Sequence, residues 1–194
     1  MPKTGGALLL NKVETVMKDL NYSLEQVERA KPIISTLLHG GEIKAVEGKD
    51  EEICKILDLT CGTDYFQVYT DKGLVLGVGS RFQSIKSGCK PFNTFTIRKE
   101  RESGNITEFE KRKYAIKHQG IYPFFTMHGY YDETTREILS LAIAKTVDIW
   151  DCIEKGYCKE KHTGQNQIGQ AVFYCIDWIE FKRKGYKLLK YERL

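Results

Sequence analysis

Hydrophobic and polar residues alternate most regularly between residues 63 and 83. Two runs rich in aromatic and β-branched residues, Thr63–Thr70 and Leu74–Gln83, flank the turn sequence Asp71–Gly73, which predicts a β-hairpin. Gly77 and Gly79 fall on one face of the second strand, where a helix or a ligand could come close. The opposite face is apolar and carries Leu74, Leu76, Val78 and Phe82.

The other elements follow from helical or strand periodicity and from turn residues. An apolar stripe predicts a helix over residues 23–38, in which Pro32 is expected to kink or split the helix and the Gly40–Gly41 pair to end it. Thr107 and Glu110 have the spacing of a capping box at the start of a second helix. Helices are predicted at Lys12–Leu20, Thr107–Gln119 and Thr146–Lys155, and further strands at Glu42–Val46, Thr94–Arg98, Phe124–Tyr131, Glu137–Ala144 and Ala171–Trp178.

Strands mixed with a few helices predict an α/β (α+β) domain in which helices flank a mixed β-sheet. No internal repeat or Pro/Gly/Ser-rich linker divides the chain, so residues 1–194 are interpreted as one domain. Residues 1–21 are expected to pack loosely, Tyr157–Gly169 to form a polar loop, and residues 179–194 to form a basic C-terminal tail.

Composition narrows the class of protein. The 194 residues are 41% hydrophobic and 29% charged, which is typical of a globular chain. No run of about 18 apolar residues occurs, and residues 7–10 are too short for a signal-peptide core. The six cysteines are expected to be free thiols. These features predict a protein of the cytoplasm.

Charge is distributed unevenly, although the net charge is only +4. Basic residues concentrate in Lys86–Lys117 and Lys182–Arg193. Basic surfaces of this kind suit the phosphate backbone of DNA or RNA. A solvated face without a ligand is the alternative interpretation of each cluster.

Asp64 is the first candidate for chemistry. Pairing across the predicted hairpin places it opposite Gly79 or Ser80, and residues opposite one another in an antiparallel pair share a face. We therefore expect its carboxylate to lie near the segment from Gly79 to Gln83. The alternative is an aspartate that only caps a backbone amide.

The order of helix, hairpin with Asp64 on its first strand, polar pair on its second strand, strand and helix resembles the PD-(D/E)XK nuclease fold. The resemblance implies a restriction-endonuclease-like domain that holds Mg²⁺ through carboxylates and cleaves phosphodiesters. The family's acidic-x-Lys element is missing here, because the corresponding stretch reads Gly79-Ser80-Arg81. More loosely, residues 57–111 resemble uncharacterised proteins of phages and mobile elements, which implies a host-cell cytoplasm.

Three interpretations of these residues remain open. In the first, Asp64 and Glu108 are metal ligands and Lys111 is the cation that activates water, with the second acid displaced to the following helix. The second assigns phosphate binding alone to Arg81, Gln83, Arg98 and Arg101, since the planar guanidinium matches phosphate oxygens. In the third, all of these side chains form a structural salt-bridge network.

The strand Thr94–Arg98 has one packed face and one polar face, and the polar face is expected to line a cleft beside the Asp64 hairpin. Taken together, the sequence predicts a nucleic-acid-processing protein with a nuclease-like fold, and Mg²⁺-dependent phosphodiester hydrolysis as its activity. The alternative is a non-catalytic accessory or inhibitor protein that binds nucleic acid or a host protein through the same cleft. A third hypothesis is an interaction protein whose cleft has no ligand.

Overall fold

The computed structural model describes residues 25–46, 49, 51–104, 106–163 and 171–193. The predicted helix at residues 12–20 and the expected loosely packed segment 1–21 lie outside this range. The described residues form nine strands: β1 (Glu42–Ala45), β2 (Tyr65–Tyr69), β3 (Leu74–Ile85), β4 (Thr94–Arg101), β5 (Phe125–Asp132), β6 (Ile138–Lys145), β7 (Lys159–His162), β8 (Ala171–Asp177) and β9 (Leu189–Glu192).

The described chain forms five α-helices. They are α1 (residues 25–37), α2 (Glu52–Ile56), α3 (Glu108–Lys117), α4 (Thr146–Glu154) and α5 (Trp178–Arg183), and a π-helical turn, Leu57–Cys61, continues α2. None of them combines the length and the apolar character needed to cross a membrane.

The strands form two sheets. The larger sheet has the order β1-β2-β3-β5-β6-β9, and the smaller sheet has the order β4-β8-β7. All pairs are antiparallel except β3 and β5, which run parallel from the Val78–Phe125 pair to the Ile85–Asp132 pair. The large sheet is therefore mixed, as the sequence predicts.

Each face of the large sheet has its own core. Helix α1 covers one face, where Val27, Ala30 and Ile34 pack in a cluster that includes Val78 and Met127. On the other face, the core joins residues of β5 and β6 to the small sheet, to α4 and to α5. Because neighbouring residues of a strand point to opposite faces, Gly79 and Arg81 face this second layer, whereas Val78 faces α1. The predicted α/β class with helices flanking a mixed sheet in one domain is confirmed.

Several local predictions are confirmed. Thr107 and Glu110 form the predicted capping box: Glu110 Oε2 accepts from the Thr107 backbone N–H at 2.8 Å. Gly40 and Gly41 follow α1 with φ angles of 97° and 88°, conformations that glycine adopts at little cost. All six cysteines are free thiols.

Pro32 does not split α1, which is continuous from residue 25 to residue 37. A proline inside a helix removes one backbone hydrogen bond. Here the apolar stripe of the helix is buried against the large sheet, and that packing outweighs the local cost of the proline.

Two segments expected to be irregular are ordered instead. The predicted polar loop contains β7, an exposed edge strand whose lysine-rich sequence lacks hydrophobic alternation. The expected basic tail contains α5 and β9. Trp178 and Phe181 bury one face of α5, and β9 pairs with β6. Because this segment contains many lysines and arginines, its sequence pattern does not reveal that Trp178 and Phe181 are buried.

Candidate functional site

Two arginines meet over one aromatic ring between the two sheets. Arg81 projects from β3 into the space between the sheets. Arg98 and Phe173 are cross-strand partners in the pairing of β4 with β8. The Arg81 guanidinium carbon lies 4.8 Å from the centroid of the Phe173 ring, and that of Arg98 lies 5.5 Å from it. The stacked second sheet thus brings two cations from different strands to one place.

The charge of this pair is not neutralised locally. No described carboxylate lies within 4.0 Å of a guanidinium nitrogen of Arg81 or Arg98. The buried Nε of Arg98 also lacks a hydrogen-bond partner among the described residues.

The pKa values of the two guanidiniums reflect this environment. Burial lowers the pKa of Arg98 to about 10, and repulsion from Arg81 and Arg101 adds to the effect. Burial likewise lowers the pKa of Arg81, while the negative charge of Glu108 opposes that shift. Both arginines remain cations at neutral pH, so two positive charges lie beside Phe173 in the space between the sheets.

Asp64 lies where the sequence predicts, immediately before β2. Its backbone N–H donates to Val78 O at 3.0 Å, which continues the hairpin ladder by one residue. Its carboxylate accepts hydrogen bonds from the backbone N–H and the hydroxyl of Ser80. The predicted neighbourhood of Asp64 is therefore confirmed, and one of its carboxylate oxygens already has two donors.

A concave pocket collects the predicted catalytic residues. Asp64, Arg101, Glu108 and Lys111 all line it. Glu108 lies on α3 and pairs with Arg112, with 2.5 Å between Oε1 and Nη1. The Lys111 ammonium donates to the carbonyl oxygen of Leu59 in the π-helical turn. Folding thus brings the three predicted catalytic side chains together, although Glu108 and Lys111 each have a partner of their own.

Arg112 is the central residue that sequence reasoning missed. Its side chain is 4% exposed, and it donates to Thr126 Oγ1 at 3.1 Å and to Gly62 O at 3.0 Å. A Cβ atom on Gly79 would lie 2.1 Å from Arg112 Nη2. The prediction that a helix or ligand approaches this face of β3 is thus confirmed, and the approaching group is an arginine of α3.

The described residues hold no ready-made cluster of metal ligands. They contain no group of three or more His, Cys, Asp or Glu side chains placed to hold one. The two predicted ligands, Asp64 and Glu108, already engage Ser80 and Arg112. Mg²⁺ is usually bound through one or two carboxylates together with water and substrate phosphates, so Asp64 and Glu108 would need oxygens from outside the chain to complete a site.

Gln83 lies in a second groove, apart from the Asp64 pocket. The lining of this groove, called the Gln83 groove, includes Gln83 of β3, Phe92 in the loop before β4, Thr94 and Thr96 of β4, Lys161 of β7 and Phe173 of β8. The predicted polar face of β4 does line a cleft beside the hairpin. Phe173 belongs both to this groove and to the arginine pair, so the two features adjoin.

Two buried polar side chains of β5 form hydrogen bonds with β4. The His128 Nδ1 accepts from the Thr96 backbone N–H at 3.1 Å, and the Tyr130 hydroxyl donates to Thr94 O at 2.9 Å. Complete burial, assisted by the charge of Arg81, places the pKa of His128 well below its usual value. His128 is therefore neutral, and its ring is hydrogen-bonded to β4.

Comparison with known proteins adds no family. No protein-family model matches the chain, and no curated protein or solved structure matches it. The resemblance to PD-(D/E)XK nucleases and to phage proteins stays a prediction from the sequence.

Proposed function

We propose that this protein binds nucleic acid through the phosphate backbone, as an accessory module with a nuclease-like fold. One observation carries the proposal: Arg81 and Arg98 meet over Phe173 with no described carboxylate in ion-pairing range. A half-buried pair of like charges is unfavourable unless an anion joins it. We infer that the anion comes from outside the chain.

Phosphate has the chemistry that this site lacks. A phosphate oxygen accepts the parallel N–H groups of a guanidinium, and one phosphate can bridge two of them. Arg101 repels Arg98 and lines the adjoining Asp64 pocket, where it would contact the next phosphate of a bound strand. A location in the cytoplasm, where DNA or RNA is accessible, is part of the proposal.

Phosphodiester hydrolysis is the second candidate function. It is favoured by the shared pocket of Asp64, Glu108 and Lys111, which would lie beside a strand held by the arginines. Since the described residues do not form a resident metal site, we rank binding above cleavage.

The proposed binding can be tested by fluorescence anisotropy with labelled DNA and RNA oligonucleotides between about 50 and 200 mM salt. We expect affinity to fall steeply with salt and to weaken about tenfold or more in Arg98→Ala and in Arg81→Ala. Lys72→Ala, at the far end of the hairpin, removes the same charge and should bind as the wild type does.

Affinity that is indifferent to salt, or equal losses in Arg98→Ala and Lys72→Ala, would contradict the proposal. Incubating the same oligonucleotides with Mg²⁺ or Mn²⁺ tests the second candidate. Cleavage that disappears in Asp64→Ala would establish hydrolysis, whereas cleavage that persists in that variant would exclude the Asp64 pocket. A stable complex with another protein and no nucleic-acid affinity would instead favour the interaction hypothesis.

A further inference from the structure

One wall of the Gln83 groove is an exposed aromatic ring. Phe92 is 66% exposed. Its ring packs edge-on against Tyr130, with 6.4 Å between the centroids, and the Lys161 ammonium lies 5.6 Å from its centroid. Phe92 is thus held against the fold while most of its surface remains accessible.

A polar side chain with unused hydrogen-bonding capacity faces the same groove. The side-chain amide of Gln83 lines the groove and makes no hydrogen bond to any described residue. The neighbouring hydroxyls already have hydrogen-bond partners: Thr96 bonds to His128, and Thr94 bonds to Tyr130. Gln83 therefore offers one acceptor and two donors to whatever occupies the groove.

The groove and the arginine pair are neighbours in the structure. The groove shares Phe173 with the pair of arginines, so a group bound beside Phe92 and Gln83 is adjacent to an anion held by Arg81 and Arg98. A flat ring to stack on, an amide for hydrogen bonding and a neighbouring phosphate site together fit a base with its phosphate.

A base within a duplex cannot reach such a groove, because it is stacked between its neighbours and paired on its hydrogen-bonding edge. We propose that the Gln83 groove binds an unpaired base of single-stranded nucleic acid, which stacks on Phe92 and hydrogen-bonds to Gln83. This inference rests on the proposed phosphate binding and adds the strandedness of the ligand and the residues that contact its bases.

The test compares three labelled ligands of equal length: a single strand, the same sequence as a duplex, and an abasic single strand. We expect the single strand to bind roughly tenfold more tightly than the abasic strand, and also more tightly than the duplex. Phe92→Ala should remove this preference. Tyr114→Ala is the matched control, since Tyr114 is 68% exposed on α3 and does not line the groove.

A second variant separates base contacts from phosphate contacts. Gln83→Ala should change the ranking of homopolymers of different bases, whereas Arg98→Ala should weaken the single strand and the abasic strand by the same factor. Ribose and deoxyribose versions of each ligand distinguish RNA from DNA.

The possible failures are distinguishable. Salt-sensitive binding that is equally tight for the single strand, the duplex and the abasic strand, or that responds alike to Phe92→Ala and Tyr114→Ala, would overturn the single-strand inference and leave the phosphate proposal standing. Absence of salt-sensitive binding to all three ligands would overturn both.

Discussion

Arg112 and Arg98 differ in whether a described carboxylate neutralises the guanidinium. Arg112 has Glu108 as its counter-ion and donates to Thr126 and to a backbone carbonyl. Arg98 has no described acid within ion-pairing range and has Arg81 as its neighbour. Each guanidinium keeps one buried Nε without a partner.

The difference separates a structural arginine from one that is available to a ligand. A buried cation with its own counter-ion holds elements together, and removing it leaves an uncompensated acid. A half-buried cation that faces another cation lowers the stability of the protein until an anion binds to it. The comparison therefore predicts opposite consequences for equivalent substitutions at the two positions.

The largest expected effect is that of Arg112→Met. Removing the guanidinium leaves Glu108 without its counter-ion and the Gly62 carbonyl without its Arg112 donor, so we expect the free energy of unfolding to fall by about 3 kcal/mol. Urea unfolding monitored by circular dichroism measures it. Lys113→Met, which affects an exposed pair with Glu154, is the control and should change little. Equal stability of the two variants would contradict a structural role for Arg112.

Gly79→Ala should disturb the same site from the strand side. The added Cβ would lie 2.1 Å from Arg112 Nη2 and 2.7 Å from Gly62 O, so either the guanidinium or the backbone must move. We expect a loss of about 2 kcal/mol in unfolding free energy. Gly120→Ala has room for its Cβ, whose nearest neighbour is at 3.5 Å. If Gly79→Ala were as stable as Gly120→Ala, the close packing of Arg112 on β3 would be disproved.

The neutral His128 makes stability depend on pH. Burial lowers its pKa in the folded protein, so below its ordinary value of about 6.5 the unfolded chain binds more protons than the folded chain. Stability should therefore fall as the pH drops below about 6.5, by up to about 1.4 kcal/mol per pH unit from this residue. It is restored as the pH rises again.

His128→Asn, which keeps an acceptor for the Thr96 N–H, should show a shallower decline between about pH 6.5 and pH 5. Thermal unfolding at several pH values measures both slopes. The control is the exposed His118→Gln, expected to follow the wild type. Identical slopes in His128→Asn and the wild type would show that His128 does not provide the pH dependence.

The smallest effect, and the one of opposite sign, is expected for Arg98→Met. The Arg98 charge is repelled by Arg81 and Arg101. Removing it should leave the ligand-free protein as stable as the wild type, or raise its unfolding free energy by about 0.5 to 1 kcal/mol. The expected change is small because solvent screens the exposed part of the Arg98 side chain. The same urea titration measures it. A loss comparable to that of Arg112→Met would mean that Arg98 is structural, and the contrast between the two arginines would disappear.

Much of the fold could be read from local patterns. The alternation in the two hairpin strands and the turn between them fixed the register closely enough to place Asp64 beside Ser80. The spacing of Thr107 and Glu110 located the start of α3. Where lysines and arginines cover the pattern, as in β7 and α5, the periodicity was too weak to reveal the element.

The candidate site was only partly predictable. Asp64, Glu108, Lys111 and Arg101 reach one pocket, as their positions on the hairpin, β4 and the following helix suggested. Arg112 was overlooked because nothing in the spacing of a basic helix tells a buried arginine from its exposed neighbours. The sequence signal for it was the pair Gly77 and Gly79, because two glycines on one face of β3 indicate that another group packs closely there.

The sequence by itself determined the class of the domain, the hairpin with its register to within one residue, and the start of α3, because these depend on side-chain periodicity and on hydrogen bonds between near neighbours. Tertiary structure alone decided which cations acquire a counter-ion. Phe173 reaches Arg81 and Arg98 only because β4 and β8 form a second sheet stacked on the first, and Glu108 neutralises Arg112 only because α3 turns that side chain toward the glycines of β3. Charges interact through space, and distances between residues far apart in the chain exist only once it has folded.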